Sequence, residues 1–461
     1  MDSETTNFKI LLFPWLAHGH IFPYLELAKR ILKRKNCHIH ICSTSINFTS
    51  INNFIQHNSL ENSIELAEIH LPPSHELPPH YHTTKNLPSN LVSTLIKAFQ
   101  KSNSSFSEII TSLKPDLVIY DIFQPWAAKI ASSKGIPAVH FATFGAATVS
   151  FFYHQYVGGP KSDYPSTAIS LRNHERTDLD DIFKFVYTNV FEEDKDVFFV
   201  NFKLSSDIVL VKTCRGFEGK YMDYFSGLFK EKQLVHIGSL VNYDHNRNDE
   251  EENSEIIQWL SKRSKNSTVY ISFGSEYFLS NDEIEEIAKG LELCGVNFIW
   301  IVRFPIEDER ISVEEALPKG FLERVKERGI VVQGWAPQAK ILSHESTGGF
   351  VSHCGWSSVI ESVYFGVPII AMPIKVDQPI NARMLAEVGA CMEVSTDENG
   401  VYKGEEIGKA MKKVMMDKSG DELRLRAQKL SEKMKMEEEE ALDSAVEHLW
   451  QICMKNKTCD N

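Results

Sequence analysis

Short apolar runs alternate with amphipathic helical patterns along this chain, and the alternation runs through twice. KILLFPW (9–15) reads as a buried strand, and YLELAKRILKR after it sets Leu25, Ala28, Ile31 and Leu32 on one helical face. HIHICS (38–43), PDLVIYD (115–121) and PAVHFAT (137–143) are further strands. Apolar strands separated by helices specify a parallel sheet covered on both faces. NYDHNRNDEEENSE (242–255) offers no core face and reads as a linker. The alternation then restarts with TVYISFGS (268–275), NFIWIVR (297–303), GIVVQGW (329–335), GGFVSH (348–353) and VPIIAMP (367–373). The expectation is an α/β protein of two Rossmann-like, doubly wound domains facing a cleft. Residues 1–241 form the first, 242–255 the linker and 256–436 the second, and a C-terminal helix, 437–461, packs back on the first. The acidic run Glu437 to Glu440 reads as the solvated face of that helix.

At 461 residues the chain exceeds one ordinary core, and its apolar fraction of 43% is that of a folded protein. A formal charge of -13 leaves nothing basic to neutralise phosphates in bulk, which argues against a nucleic-acid or anionic-membrane surface. A small anion can still bind at helix N-termini. The eight cysteines form no CxxC pair, so neither a zinc site nor a redox dithiol has the spacing it needs. Free thiols suit a reducing compartment. MDSETTNFKILLFPW lacks a charged leader region, and its apolar run is broken by Pro14 and His18. It reads as a first strand. A cytoplasmic monomer without stable membrane insertion is the expectation.

Ligands of open α/β sheets bind beyond the carboxyl ends of the strands. After the first strand comes LAHGHIFP, where Gly19 permits a tight turn and His20 precedes a helix. His20 reads either as a general base or as a capping or packing histidine. Asp121 ends DLVIYD; it would orient an imidazole if its strand neighbours the first, or serve as a loop cap before Pro125. Thr143 stands just past another strand, and Gly274 and Ser275 mark the first turn of the second domain. In GGFVSHCGWSSVIES (348–362) a strand breaks at His353-Cys354-Gly355-Trp356, and Ser357 and Ser358 open a helix. Its amides, dipole and hydroxyls make an anion site. Ser358 and Glu361 also match a capping box. His353 beside Cys354 suggests a metal or a thiol nucleophile. Neighbours on an extended chain point oppositely, however, and no third ligand is evident.

From Trp335 to Gln378 the sequence, WAPQAKILSHESTGGFVSHCGWSSVIESVYFGVPIIAMPIKVDQ, resembles the signature box of plant family-1 UDP-sugar glycosyltransferases. GHIFPYLELAK and YDIFQPW extend the resemblance over nearly the whole chain. It implies the GT-B fold, with the acceptor mainly on the first domain and the donor mainly on the second. Trp335 resembles the tryptophan that stacks on uracil, with the Ala336 backbone and Gln338 beside it. His353 is similar to the family's phosphate-contacting histidine, with Gly355, Trp356, Ser358 and Ser275 around it. Glu361 is similar to the glutamate that grips the ribose. Asp377 and Gln378 resemble the pair that binds the sugar hydroxyls, and Thr143 the first-domain threonine that reaches the same sugar. His20 and Asp121 match the catalytic dyad. Ser357 stands where the family usually has asparagine, so its contact near the phosphates is weaker or water-bridged.

The resemblance implies inverting, metal-independent transfer from UDP-glucose, with no cofactor, to a hydroxyl of a plant specialised metabolite. FGSEYF, NFIWIVRFP and LPKGF are most similar to the branch-forming members. The expected acceptor is therefore an existing glucoside of a flavonoid, terpenoid or apocarotenoid, extended through a 1→6 or 1→2 linkage. Direct glucosylation of a phenolic or terpenoid aglycone is the alternative. A nucleotide-sugar-binding protein without turnover would lack the base, and an oxidoreductase needs a GxGxxG that does not occur. Asp178-Leu179-Asp180 has the spacing of a metal-binding DxD but lies in an acidic segment with no strand before it. Gln378 offers a carboxamide able to donate to and accept from a neutral hexose. Phe22, with no arginine near it, favours UDP-glucose over UDP-glucuronate.

Overall fold

Two all-parallel sheets carry the chain, their central strands apolar enough to be buried on both faces. The computed structural model describes residues 7–85, 87–160, 163–177, 179–180, 199–242, 254–304 and 312–459. The first sheet contains β1 (Phe8–Phe13), β2 (Cys37–Ser43), β3 (Ile64–Glu68), β4 (Leu117–Tyr120), β5 (Ala138–Ala142), β6 (Ile208–Val211) and β7 (Gln233–His236). Their order is β3-β2-β1-β4-β5-β6-β7, with Ile10 of β1 level with Ile39 on one side and Leu117 on the other. The chain winds outward from β1 and then returns to its other side, so the connections diverge between β1 and β4. The second sheet contains β8 (Thr268–Ser272), β9 (Asn297–Val302), β10 (Gly329–Gln333), β11 (Thr347–Ser352), β12 (Ile369–Ala371) and β13 (Cys391–Glu393). Its order, β10-β9-β8-β11-β12-β13, puts the same divergence between β8 and β11.

Each sheet has its own core. Ile10 and Leu12 of β1 pack with Leu25, Ala28 and Ile31 of the helix His18–Leu32, the face the periodicity predicts. In the second sheet Val269, Phe298 and Trp300 pack with Ile284, Ile287 and Leu291 of the helix Asn281–Cys294. A capping box between Ser280 and Glu283 starts that helix, and Gly295, at φ 71°, ends it in the left-handed region.

The chain divides into two compact units, one comprising 1–165, 182–240 and 437–461 and the other 166–181 and 241–436. Residues 166–181, read from sequence as part of the first domain, thus belong with the second. The reason is ionic. Glu175 is buried against Arg383 of the helix Gln378–Glu387 through paired bonds of 2.6 and 2.8 Å, and Arg172 reaches Glu393 at 2.8 Å. A carboxylate leaves water only for geometry of that quality. Most of the linker expected at 242–255 lies outside the described residues, as does Asp178 of the DxD.

One helix, Lys418–Cys459, ends the chain. Its early part serves the second unit, where Arg424 donates to the carbonyls of Gly348 and Val414. From residue 437 it serves the first, where Leu442, Ala445, Val446, Leu449 and Ile452 join the core and Trp450 packs edge-on to Phe8. The acidic run is only half the solvated face it resembles: Glu439 and Glu440 are exposed, but the first two residues are engaged. Glu437 accepts the Gly216 N–H at 2.9 Å at the start of the helix Arg215–Leu228, and buried Glu438 accepts the Ser239 hydroxyl at 2.8 Å. A carboxylate at a helix N-terminus answers orphan amides and the dipole together. Among the described residues no helix is long and apolar enough to cross a membrane.

Candidate functional site

The divergence between β1 and β4 brings the first candidate pair together. Asp121 follows β4 directly, and His20 sits in the first turn of the helix after β1. His20 Nδ1 lies 2.7 Å from Asp121 Oδ2. Asp121 is fully buried, yet Oδ2 also accepts the Trp15 N–H at 3.0 Å and Oδ1 the Ile122 N–H at 2.7 Å. With Asp121 Oδ2 as the acceptor facing Nδ1, the ring proton sits there and the lone pair on Nε2. The imidazole keeps 16% of its surface exposed, so a substrate can reach it. Thr143 Oγ1 lies 3.1 Å from the same Nδ1, which ties a third expected residue to the pair.

Two sequence readings change here. Ala17 is the N-cap and no side chain caps the helix, so His20 is not a capping residue. Gly19 is not a tight turn: it lies within the helix, outside the positive-φ glycines, and a Cβ on it would meet nothing within 4 Å.

In the second unit the turns after β8 and β11 meet in the same way, with different partners. The His353 ring lies against two bare glycine backbones. A Cβ on Gly274, at φ 77°, would come within 2.7 Å of its Cε1, and one on Gly355 within 2.6 Å of its Nε2. Burial, and then the charge of Lys375, lower the pKa of His353 to about 4, so the ring is neutral near pH 7. Its Nδ1 is buried and has no hydrogen-bond partner among the described residues. Between His353 and Gly355, Cys354 is held at φ 66°, a conformation that costs a residue with a side chain. The Ser352 hydroxyl accepts its N–H at 3.1 Å, and Asn381 Nδ2 donates to its carbonyl at 3.0 Å. Its thiol is fully buried, and burial leads the causes that push it well above its usual pKa, which leaves it inert. No cluster of His, Cys, Asp and Glu able to hold a metal occurs among the described residues.

Ser357 and Ser358 lie in the first turn of the helix Trp356–Tyr364, whose N-cap is Gly355 with no side-chain bond. The capping-box alternative for Glu361 therefore falls. Glu361 instead accepts Gln338 Nε2 at 2.8 Å, and Gln338 Oε1 accepts the hydroxyl of buried Tyr270 at 3.3 Å. The pair expected at the base and the ribose is thus one network. Trp335 is 51% exposed, whereas the Trp356 side chain is core. Ala336 is the short link between Trp335 and Gln338, its carbonyl accepting the Gln338 N–H. Ser275 directly follows Gly274.

Val376, at φ 58°, strains the approach to Asp377 and Gln378, and β-branched residues rarely adopt that conformation. Asp377 accepts Asn381 Nδ2 at 2.8 Å. Gln378 Oε1 accepts the N–H groups of Ile374 and Lys375, both at 2.9 Å. The expected two-way carboxamide is therefore chiefly a donor, because its oxygen is already engaged.

Sequence reasoning missed Arg303, one residue past β9. Its guanidinium lies 4.9 Å from the centroid of the Trp335 ring, and Nη1 donates to the Gly274 carbonyl at 3.0 Å. Burial lowers its pKa to about 10, which still leaves it charged. The available signal was a lone cation ending the apolar run NFIWIV.

The family model described as UDP-glucuronosyl and UDP-glucosyl transferase matches residues 32–457. UDP-glucosyltransferase 29 of Panax ginseng is 48% identical over 458 residues, 99% of each chain. Beta-D-glucosyl crocetin beta-1,6-glucosyltransferase of Gardenia jasminoides is 45% identical over 450 residues, covering 98% of this chain and 100% of that one. Among solved structures, a UDP-glucosyltransferase from Polygonum tinctorium capable of glucosylating indoxyl is similar with a TM-score of 0.76 and 26% identity, over 98% of this chain and 100% of that one.

Proposed function

Because the chain belongs to the family of UDP-glucuronosyl and UDP-glucosyl transferases, and is a UDP-glycosyltransferase of the GT-B fold, we propose that it moves glucose from UDP-glucose, with inversion, to a hydroxyl of a sugar already attached to a small plant metabolite. The observation that carries this reading is the 2.7 Å bond between His20 Nδ1 and the buried Asp121 carboxylate. His20 Nε2 takes the proton of the acceptor hydroxyl, and Asp121 stabilises the imidazolium that forms. The oxygen attacks the anomeric carbon from the face opposite UDP, turning an α-linked donor into a β-glycoside.

The second unit holds the donor. Trp335 stacks on uracil, the Ala336 backbone and Gln338 bind its edge, and Glu361 binds the ribose. Neutral His353, Ser275, Ser357, Ser358 and the amides from Gly355 and Trp356 onward receive the diphosphate, stabilising the leaving group without a cation. Asp377 and Gln378 bind the glucose. The Gln378 amide donates to sugar oxygens, and Phe22 gives a glucuronate carboxylate no cation. The name of the Gardenia relative, a glucosyltransferase of a glucosyl crocetin, supports a glycoside acceptor. Seven free, buried cysteines among the described residues fit the reducing cytoplasm.

The test is a screen of the purified chain with UDP-glucose or UDP-glucuronate against aglycones and their monoglucosides, with and without excess EDTA. A site that hydrogen-bonds an acceptor sugar rejects a molecule lacking it, so kcat/KM for a monoglucoside should exceed that for its aglycone by about 100-fold or more. EDTA should change nothing. Equal kcat/KM with the aglycone refutes the glycoside acceptor, and a loss restored by magnesium refutes metal independence.

A further inference from the structure

The groups that hold Asp121 are themselves held. Its two amide donors belong to Trp15, past the end of β1, and Ile122, past the end of β4. Strand bonds no longer fix the backbone there, and carboxamide side chains take over. Gln124 Nε2 donates to the Phe13 carbonyl at 2.6 Å, and Asn201 Nδ2 to the Ile122 carbonyl at 2.7 Å. Asn201 is also tied to the residue before Asp121, because its main-chain carbonyl accepts the Tyr120 hydroxyl at 2.7 Å. Residues 120 and 122 are thus tied to one asparagine.

Both amides are fully buried, and each keeps an oxygen, Gln124 Oε1 and Asn201 Oδ1, with no hydrogen-bond partner among the described residues. Without Asn201 the Ile122 carbonyl loses a donor; with it, Oδ1 is unpaired. Gln124 makes the same exchange for Phe13. One unsatisfied oxygen replaces another, so the net gain in stability is small. What the bonds do fix is the Phe13 and Ile122 carbonyls, in the short backbone stretches that carry the Trp15 and Ile122 amides.

We propose that Asn201 and Gln124 are positioning residues for the His20–Asp121 pair, fixing the two amides that aim the carboxylate and, through it, the imidazole. The proposal rests on the reading of that pair as the catalytic dyad. Asn201→Leu and Gln124→Met keep the size of the side chains and remove the donors. They are assayed in the full chain with UDP-glucose and the best acceptor from the screen, beside His20→Ala, with UDP affinity by calorimetry and thermal unfolding. The expected result is a kcat about 10- to 100-fold lower in each, with KM for UDP-glucose and Kd for UDP within about twofold of the parent. The acid limb of the pH–kcat profile should also move, because the imidazole has lost a steady partner.

Unchanged kcat in both variants, while His20→Ala is inactive, would overturn the proposal and leave the dyad standing. Turnover retained by His20→Ala would overturn the dyad and the proposal with it. If the variants lose UDP affinity or their folded state along with kcat, the amides hold the domain together instead of aiming Asp121, and the proposal fails.

Discussion

The two sheets share a topology, and each sets an imidazole at the point where its connections diverge, but they stand different things opposite it. In the first, the ring after β1 meets a carboxylate after β4. In the second, the ring after β11 meets the bare backbone of Gly274 after β8, and the nearby charge belongs to Lys375. A buried carboxylate bonded to the ring suits His20 to take a proton. Burial and a cation keep His353 neutral, suited to donate a hydrogen bond to phosphate. The lesson is that a histidine at a strand end acquires its task from the neighbouring strand end, not from its own.

The largest effect should come from removing the base or its partner. His20→Ala should abolish transfer, and Asp121→Asn should lower kcat by about 10⁴-fold through the wrong tautomer. Calorimetry should find UDP affinity nearly intact in both. Lost UDP affinity in His20→Ala would erase the contrast between the two histidines.

Gly274→Ala probes the other side. The new Cβ collides with the imidazole and the residue is strained at φ 77°, so His353 must shift. The expected result is a KM for UDP-glucose raised by about 10-fold or more, the order reached when a positioned group moves by about 1 Å. An unchanged KM would show that the ring needs no such seat. Arg303→Met gives the smallest effect. A cation–π contact contributes about 0.5–2 kcal/mol, so UDP affinity by tryptophan quenching should fall by roughly 2- to 30-fold. A larger loss would mean that its bond to the Gly274 carbonyl carries more than the stacking does.

The strand ends were legible because apolar runs stop abruptly at residues that carry chemistry. Adjacency was not. Whether Asp121 meets His20 depends on β4 lying beside β1, and no spacing within either segment encodes that. Four strands escaped notice: the edge strands β3, β7 and β13, short and partly exposed with half-polar sequences such as IELAE and CME, and β6, buried but only the four residues IVLV. Segment 166–181 reads as polar because its ion-pair partners, Arg383 and Glu393, lie about 200 residues downstream. The acidic run misled for a similar reason: four like charges resemble a solvated face until a helix N-terminus and a serine are found waiting for two of them.

The final helix also dictates when the protein can fold during synthesis. The first unit's core is closed by Leu442, Ala445, Val446, Leu449 and Ile452, which leave the ribosome about 200 residues after Leu240. At roughly 5–20 residues per second that is a wait of about 10–40 s, with one side of the sheet uncovered. The second unit lacks no later segment, for its last residue is 436. Translation therefore finishes the units in reverse order. The half made first is completed last, and a chain stopped short of its final 25 residues leaves the His20 half without its lid of apolar side chains.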